Sequence, residues 1–134
     1  MKINLEKRKK LSKIDLVIVC GGRGSRLDKI TRTTPKPLLK FNKIPFLDYL
    51  LNYYKKFNIR KIFLMCGYKS AQFIKKYHNK KLNLIDCECV VEKFPLGTGG
   101  CLYLLKKKIK NNFILINGDS FEVPTILGKF LDSE

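Results

Sequence analysis

The run Leu16-Val17-Ile18-Val19-Cys20 is unbroken in its apolar character, rich in β-branched residues, and stops at Gly21-Gly22. A strand covered on both faces has no polar side to display, so this run predicts a central strand of a parallel sheet with helices on either side. Ile62 to Cys66, ended by Gly67, and Phe113 to Ile116 are two further runs of the same kind. Ile85, Cys87, Cys89 and Val91 alternate with Asp86 and Glu88, which predicts another strand.

Between these runs the apolar period changes from two to that of a helix. Leu47, Leu50, Leu51 and Tyr54 predict a helix from about Pro45 to Phe57, with the proline in its first turn, where a missing N–H costs nothing. Ser70 is placed to cap a helix carrying Phe73, Ile74 and Tyr77, and Gly99 to Lys108 carries Leu102 and Leu105, with Ile109 continuing the interval. Strands alternating with amphipathic helices predict an α/β fold: a Rossmann-like, open, mostly parallel sheet with helices on both faces and right-handed crossovers.

Size and polarity set the limits. With 134 residues, 45% of them hydrophobic, the chain has enough apolar material for one core. Residues 1–14 carry five lysines and Arg8 against Glu6 and read as a basic extension, leaving 15–134 as the folded unit. No apolar run approaches the roughly 20 residues needed to span a bilayer, and the N-terminus lacks the apolar centre of a secretory signal, so no membrane partner and a cytoplasmic location are expected.

The formal net charge is +17, but the lysines are spread through Lys7 to Lys13, Lys75 to Lys81 and Lys106 to Lys110. Dispersed charge of this kind reads as solvated faces rather than as a recognition surface for nucleic acid. The five cysteines include no Cys-x-x-Cys, and His78 is the only histidine, so reduced, buried thiols are expected rather than a zinc site. Cys87 and Cys89 are two apart in a strand and share one face as core residues.

The unusual residues cluster where strands end. Gly21-Gly22-Arg23-Gly24-Ser25-Arg26, Glu92 to Gly100, and Asn117-Gly118-Asp119 each follow a predicted strand. In an open parallel sheet the crevice outside the carboxyl ends of the strands is the ligand site, so the three segments predict one composite site. The first has glycines where backbone N–H groups can approach an anion, with Arg26 as a fixed positive charge, although its spacing matches neither the dinucleotide fingerprint nor the P-loop. Pro35-Lys36-Pro37 holds a lysine between two residues of fixed φ, each biasing its predecessor toward extended backbone. Asp119, just past a strand end, is where a carboxylate holds Mg²⁺ against phosphate oxygens, or simply forms a turn.

Taken together and in order, Gly21 to Leu27, Pro35-Lys36-Pro37-Leu38, Glu92 to Gly100 (EKFPLGTGG) and Asn117-Gly118-Asp119-Ser120 resemble the sugar-1-phosphate nucleotidyltransferase family. The stretch Pro95 to Gly100 is most similar to its heptose- and mannose-1-phosphate guanylyltransferase branch. The resemblance runs from about Asp15 to Phe121 and implies a glycosyltransferase-A-like nucleotide-binding half. It implies that Gly21, Gly22 and Gly24 embrace the nucleotide, that Ser25 and Thr98 also belong to the nucleotide-binding set, that Arg26 and Lys36 contact phosphates, that Glu92 and Gly97 face the base, and that Asp119 ligates Mg²⁺. A carboxylate at Glu92 accepts from N1–H and N2–H of guanine, which favours GTP; the N3–H of uracil or thymine also suits it.

The implied reaction transfers a nucleotidyl group from a nucleoside triphosphate to a sugar 1-phosphate, giving a nucleotide-activated sugar and pyrophosphate. In the family a further region with sugar contacts and a second metal-binding aspartate follows the Asn-Gly-Asp motif, and this chain ends at Glu134. A missing C-terminal half, or self-association through the face it would cover, is therefore expected. Two alternatives stay open: a truncated or degenerate homologue that binds nucleotide without catalysis, and a basic nucleic-acid-binding domain, which predicts salt-dependent association with DNA or RNA.

Overall fold

The structure, a computed structural model, describes residues 14–22, 28–57, 59–94, 97–109 and 113–120. Its centre is a five-stranded sheet in the order β5-β6-β4-β1-β7, made of β1 (Asp15–Val19), β4 (Lys61–Cys66), β5 (Lys80–Leu82), β6 (Ile85–Val91) and β7 (Phe113–Asn117). The pairs β1 with β4, β1 with β7, and β4 with β6 are parallel, and only the short edge strand β5 runs antiparallel, to β6. The mostly parallel Rossmann-like sheet expected from the apolar runs is the one observed.

The period-two rule sorts the strands' side chains into two cores. Leu16, Ile18 and Cys20 of the first run, with Ile62, Leu64 and Cys66, Cys87 and Cys89, and Ile114 and Ile116, join one cluster. After a short helix α1 (Asp28–Thr31), helices α2 (Phe46–Tyr54) and α3 (Ser70–Tyr77) cover it with Leu47, Leu50, Leu51, Tyr54, Phe73 and Tyr77. The intervening Val17, Phe63 and Met65 point the other way and pack against Cys101 and Leu105 of helix α4 (Gly97–Leu105). Both faces are covered, which is why β1 shows no polar alternation. All five cysteines are buried and unbridged.

Two carboxylates tie elements of this frame together. Asp15, fully buried at the start of β1, receives two hydrogen bonds of 2.8 Å from the Arg60 guanidinium. Asp48 of α2 accepts from the Tyr77 hydroxyl and, at 3.0 Å, from Lys76, tying α2 to α3.

Several local expectations are corrected. Pro45 ends strand β3 (Ile44–Pro45) and occupies the cap position of α2 rather than its first turn. β3 pairs with β2 (Lys40–Phe41) across Asn42 and Lys43, both at positive φ, forming a hairpin absent from the sequence reading. A second unforeseen hairpin joins β5 to β6 through Asn83 and Leu84, again both at positive φ. Two-residue hairpin turns of this kind usually carry glycine, and neither does here, so the usual signal is missing. Ser70 does not cap α3: Lys69, at φ 51°, takes the cap position without a side-chain cap bond, and Ser70 is the first helical residue. Ile74 of that helix is exposed. Helix α4 begins at Gly97 and ends at Leu105, earlier at both ends than the apolar spacing suggested.

Candidate functional site

The parallel strands end on one edge, and backbone hydrogen bonds carry the ladder one step beyond each of them. Cys20 N–H donates to Met65 O (2.8 Å), Glu92 N–H to Cys66 O (2.7 Å) and Gly118 N–H to Val19 O (2.9 Å). The loops bearing Gly21, Glu92 and Asp119 therefore leave side by side, as expected from their positions after strands. A fourth segment, Gly67-Tyr68 after β4, joins them: Tyr68 N–H donates to Gly21 O at 3.2 Å. The same carboxyl-end rule points to Gly67, which the sequence reading used only as a strand stop.

Two glycines here are required by close approach. A Cβ on Gly118 would lie 2.9 Å from Cys20 Sγ and 3.2 Å from both Pro37 Cγ and Val19 O. A Cβ on Gly67 would lie 3.0 Å from Gly21 O. These contacts press the Pro35-Lys36-Pro37 segment and the first glycine loop onto the sheet edge.

Lys36 opens a 3-10 turn, Lys36–Leu38, closed by Leu38 N–H to Pro35 O at 2.9 Å. The extended backbone expected before Pro37 is thus overridden by the turn, while Pro35 itself is extended at φ −58°, ψ 148°. Pro37 and Leu38 are buried, which anchors the lysine's backbone. The approach to this turn is fixed from α3 and the loop before it: the Tyr68 hydroxyl shares its one proton between Thr31 O (2.8 Å) and Arg32 O (3.0 Å), and Gln72 donates to Thr33 O (2.7 Å). Lys36 Nζ lies 3.3 Å from Asp119 Oδ2, with the two side chains 39% and 42% exposed.

Two cavities flank Gly22. The smaller, about 260 Å³, is lined by Val19, Cys20, Gly22, Lys36, Pro37, Asn117 and Asp119. The larger, about 440 Å³, is lined by Gly21, Gly22, Gly67, Tyr68, Glu92, Lys93 and Phe94. One compartment holds the cation and carboxylate suited to phosphate and metal; the other holds aromatic surface and a carboxylate. Glu92 Oε2 approaches to 3.4 Å of where a Gly21 Cβ would stand, and Oε1 accepts a hydrogen bond from Cys101 Sγ. Burial, the hydrogen bond to Glu92 and that carboxylate's charge together push the Cys101 thiol up to about 12.

Of the residues singled out in the sequence, Gly21, Gly22, Lys36, Glu92 and Asp119 are brought together. Gly97 opens α4 at φ 68° and does not line either cavity. Gly24, Ser25 and Arg26, and the side chain of Thr98, lie outside the described residues. Among the described residues no group of three His, Cys, Asp or Glu side chains could hold a metal, and none of the helices is long and apolar enough to cross a membrane.

The fold is that of an α/β protein with a two-part crevice at the carboxyl edge of a parallel sheet, the edge at which such sheets bind ligands. The chain belongs to the nucleotidyl transferase family, whose model matches residues 16–126. It is 39% identical over 105 residues to the D-glycero-alpha-D-manno-heptose 1-phosphate guanylyltransferase of Campylobacter jejuni, covering 78% of this chain and 47% of that protein. It is 35% identical over 107 residues to the mannose-1-phosphate guanylyltransferase of Mycobacterium tuberculosis, covering 79% of this chain and 30% of that one. The crystal structure of HddC from Yersinia pseudotuberculosis complexed with GMP-PN superposes with a TM-score of 0.75 at 33% identity, over 90% of this chain and 53% of that one. The chain spans about half the length of the heptose-phosphate relative and of HddC, and less of the mannose-phosphate one.

Proposed function

We propose that the chain forms the nucleotide side of a sugar-1-phosphate guanylyltransferase, which transfers GMP from GTP to a sugar 1-phosphate and releases pyrophosphate. The observation that carries this reading is the pair of cavities meeting at Gly22, with Lys36 and Asp119 on one side and Glu92 on the other. A nucleoside triphosphate has the same division, an anionic chain joined to a polar aromatic base. The relatives named as guanylyltransferases and the GMP-PN complex of HddC support guanine as the base.

In the reaction, a phosphate oxygen of the sugar 1-phosphate attacks the α-phosphorus in line, a new P–O bond forms, and the bond to the β-phosphate oxygen breaks. No protein nucleophile is needed, so the side chains act by alignment and by stabilising charge. Lys36, held by its buried turn, places an ammonium beside the phosphates. Arg26 is assigned the same role from the glycine-rich segment. Glu92 accepts from the guanine N1–H and N2–H, and the glycine backbone lets the nucleotide lie close to the sheet edge.

The residues present fit a magnesium ion of the kind that takes most of its ligands from phosphate and water. Asp119 offers a half-exposed carboxylate at the smaller cavity, which Asn117 also lines, and one or two protein oxygens suffice for such an ion. When bound, it would neutralise charge on the phosphate oxygens. GTP and sugar phosphates are cytoplasmic metabolites, and this reading places the protein there.

The test is a panel of GTP, ATP, CTP and UTP with magnesium, read by equilibrium binding, and by pyrophosphate release with heptose and mannose 1-phosphates. Preferential GTP binding with sugar-dependent pyrophosphate release is the expected outcome; equal binding of all four, or none, overturns it. A second reading of the same crevice is nucleotide binding without turnover. Saturable GTP binding with no pyrophosphate from any sugar phosphate would select it.

A further inference from the structure

Glu92 is anchored at its backbone by the 2.7 Å hydrogen bond from its N–H to Cys66 O, but its carboxylate sits at the end of a flexible side chain. The last torsion of a glutamate is broad, so a fixed Cα does not by itself fix the plane of the two oxygens. Recognition of a base edge through two parallel N–H donors depends on that plane. The side chain therefore needs a second tie, and the structure supplies one from α4.

We propose that Cys101 is a positioning residue for base recognition: its buried thiol donates a hydrogen bond to Glu92 Oε1 and holds the carboxylate plane in the wall of the larger cavity. The inference rests on the reading of that cavity as the base site. Cys101 is 1% exposed and packs with Val17, Phe63, Met65 and Leu105, an apolar setting in which a thiol sits at little cost. With its pKa pushed up to about 12, chiefly by burial, the sulfur keeps its proton at neutral pH and acts only as a donor toward Glu92. Gly21 lies on the other side, with Glu92 Oε2 at 3.4 Å, van der Waals distance, from where a Cβ there would stand.

The lone pairs balance. A carboxylate offers about four acceptor positions, the thiol uses one, and the N1–H and N2–H of guanine take two more. Uracil has a single N3–H and gains less from a fixed plane. Cys101 therefore acts on discrimination between bases more than on affinity for the triphosphate.

The experiment measures equilibrium binding of GTP, inosine triphosphate and UTP, with magnesium, to the full chain and to Cys101→Ala, Cys101→Ser and Glu92→Gln. Inosine lacks the 2-amino donor. Cys101→Ala is expected to lose about tenfold in GTP affinity, the scale of one hydrogen bond to a charged group. UTP affinity should stay within about twofold, and Cys101→Ser, which keeps a donor, should restore the GTP preference. Unchanged discrimination in Cys101→Ala overturns the positioning role. If Glu92→Gln also leaves discrimination unchanged, or the unaltered chain binds no nucleotide, the base-site reading itself fails. A second measurement stands apart from binding: the S–H stretching band lost in Cys101→Ser should lie at low frequency and move up in Glu92→Gln. A band that does not respond to Glu92→Gln overturns the contact even if Cys101→Ala does not fold.

Discussion

Lys36 Nζ and Asp119 Oδ2 lie 3.3 Å apart at the smaller cavity, joining the proline-flanked turn to the end of β7. Both side chains are about 40% exposed, so water screens the pair and it adds little to stability. Lys36→Ala is expected to change unfolding free energy by less than about 1 kcal/mol. Loss of a charge-stabilising donor should lower sugar-dependent pyrophosphate release by about 10²-fold or more. Denaturant unfolding and a pyrophosphate assay on the same preparation check both halves; near-normal release refutes the role given to Lys36.

Gly22 and Gly118 are predicted to fail in opposite ways. Among the described residues a methyl group on Gly22 meets nothing within 4 Å, whereas one on Gly118 would lie 2.9 Å from Cys20 Sγ. Gly118→Ala should cost about 1 to 3 kcal/mol by overpacking. Gly22→Ala should stay within about 0.5 kcal/mol in stability, since it strains nothing. Its methyl stands between the two cavities, so GTP affinity should drop. Equal melting temperatures for the two variants would contradict this assignment.

Breaking the Asp15–Arg60 pair from the arginine side leaves a fully buried carboxylate without its two 2.8 Å donors. Arg60 is itself partly exposed, which lets water reach the gap and moderates the loss. Arg60→Ala is expected to destabilise the fold by about 2 to 4 kcal/mol, below or within the range for a fully buried pair. Urea unfolding measures it, and a loss under about 1 kcal/mol would show that the pair is not needed.

Glu88 gives the fold an acid-sensitive contact. Burial works against its charge, but Lys108 at 2.6 Å and Lys61 at 3.2 Å outweigh it and hold the carboxyl below its usual range. A depressed folded-state pKa contributes stability that is present above the ordinary glutamate value and lost as pH falls through the lowered one. Unfolding free energy should therefore fall as the solution is acidified below about pH 4.3, and Glu88→Gln should flatten that limb. An identical acid limb in the variant would exclude Glu88 as its source.

The sheet was legible because its residues report their own environment. A strand buried on both faces has to be apolar throughout, as Leu16 to Cys20 is, and one with a polar face has to alternate, as Ile85 to Val91 does. The two hairpins were not legible. Their turns place Lys43 and Leu84 at φ 67° and 70°, where non-glycine residues are uncommon, and the strands they join are only two or three residues long on one side. Tertiary pairing overrides local preference at both.

The site divides in the same way. From sequence alone came the identity of the groups and their position after strands: the glycines at 21 and 22, a lysine fixed between prolines, Glu92, and Asp119. Strand order is what makes Lys36 a neighbour of Asp119 and brings Gly67 against Gly21, because parallel strands from distant segments end on one edge only after the sheet assembles. The contact of Cys101 with Glu92 arises likewise, from packing α4 against the opposite face of β1 and β4. Periodicity reports what each residue faces, water or core. Which residue it faces is decided by the packing of the whole chain.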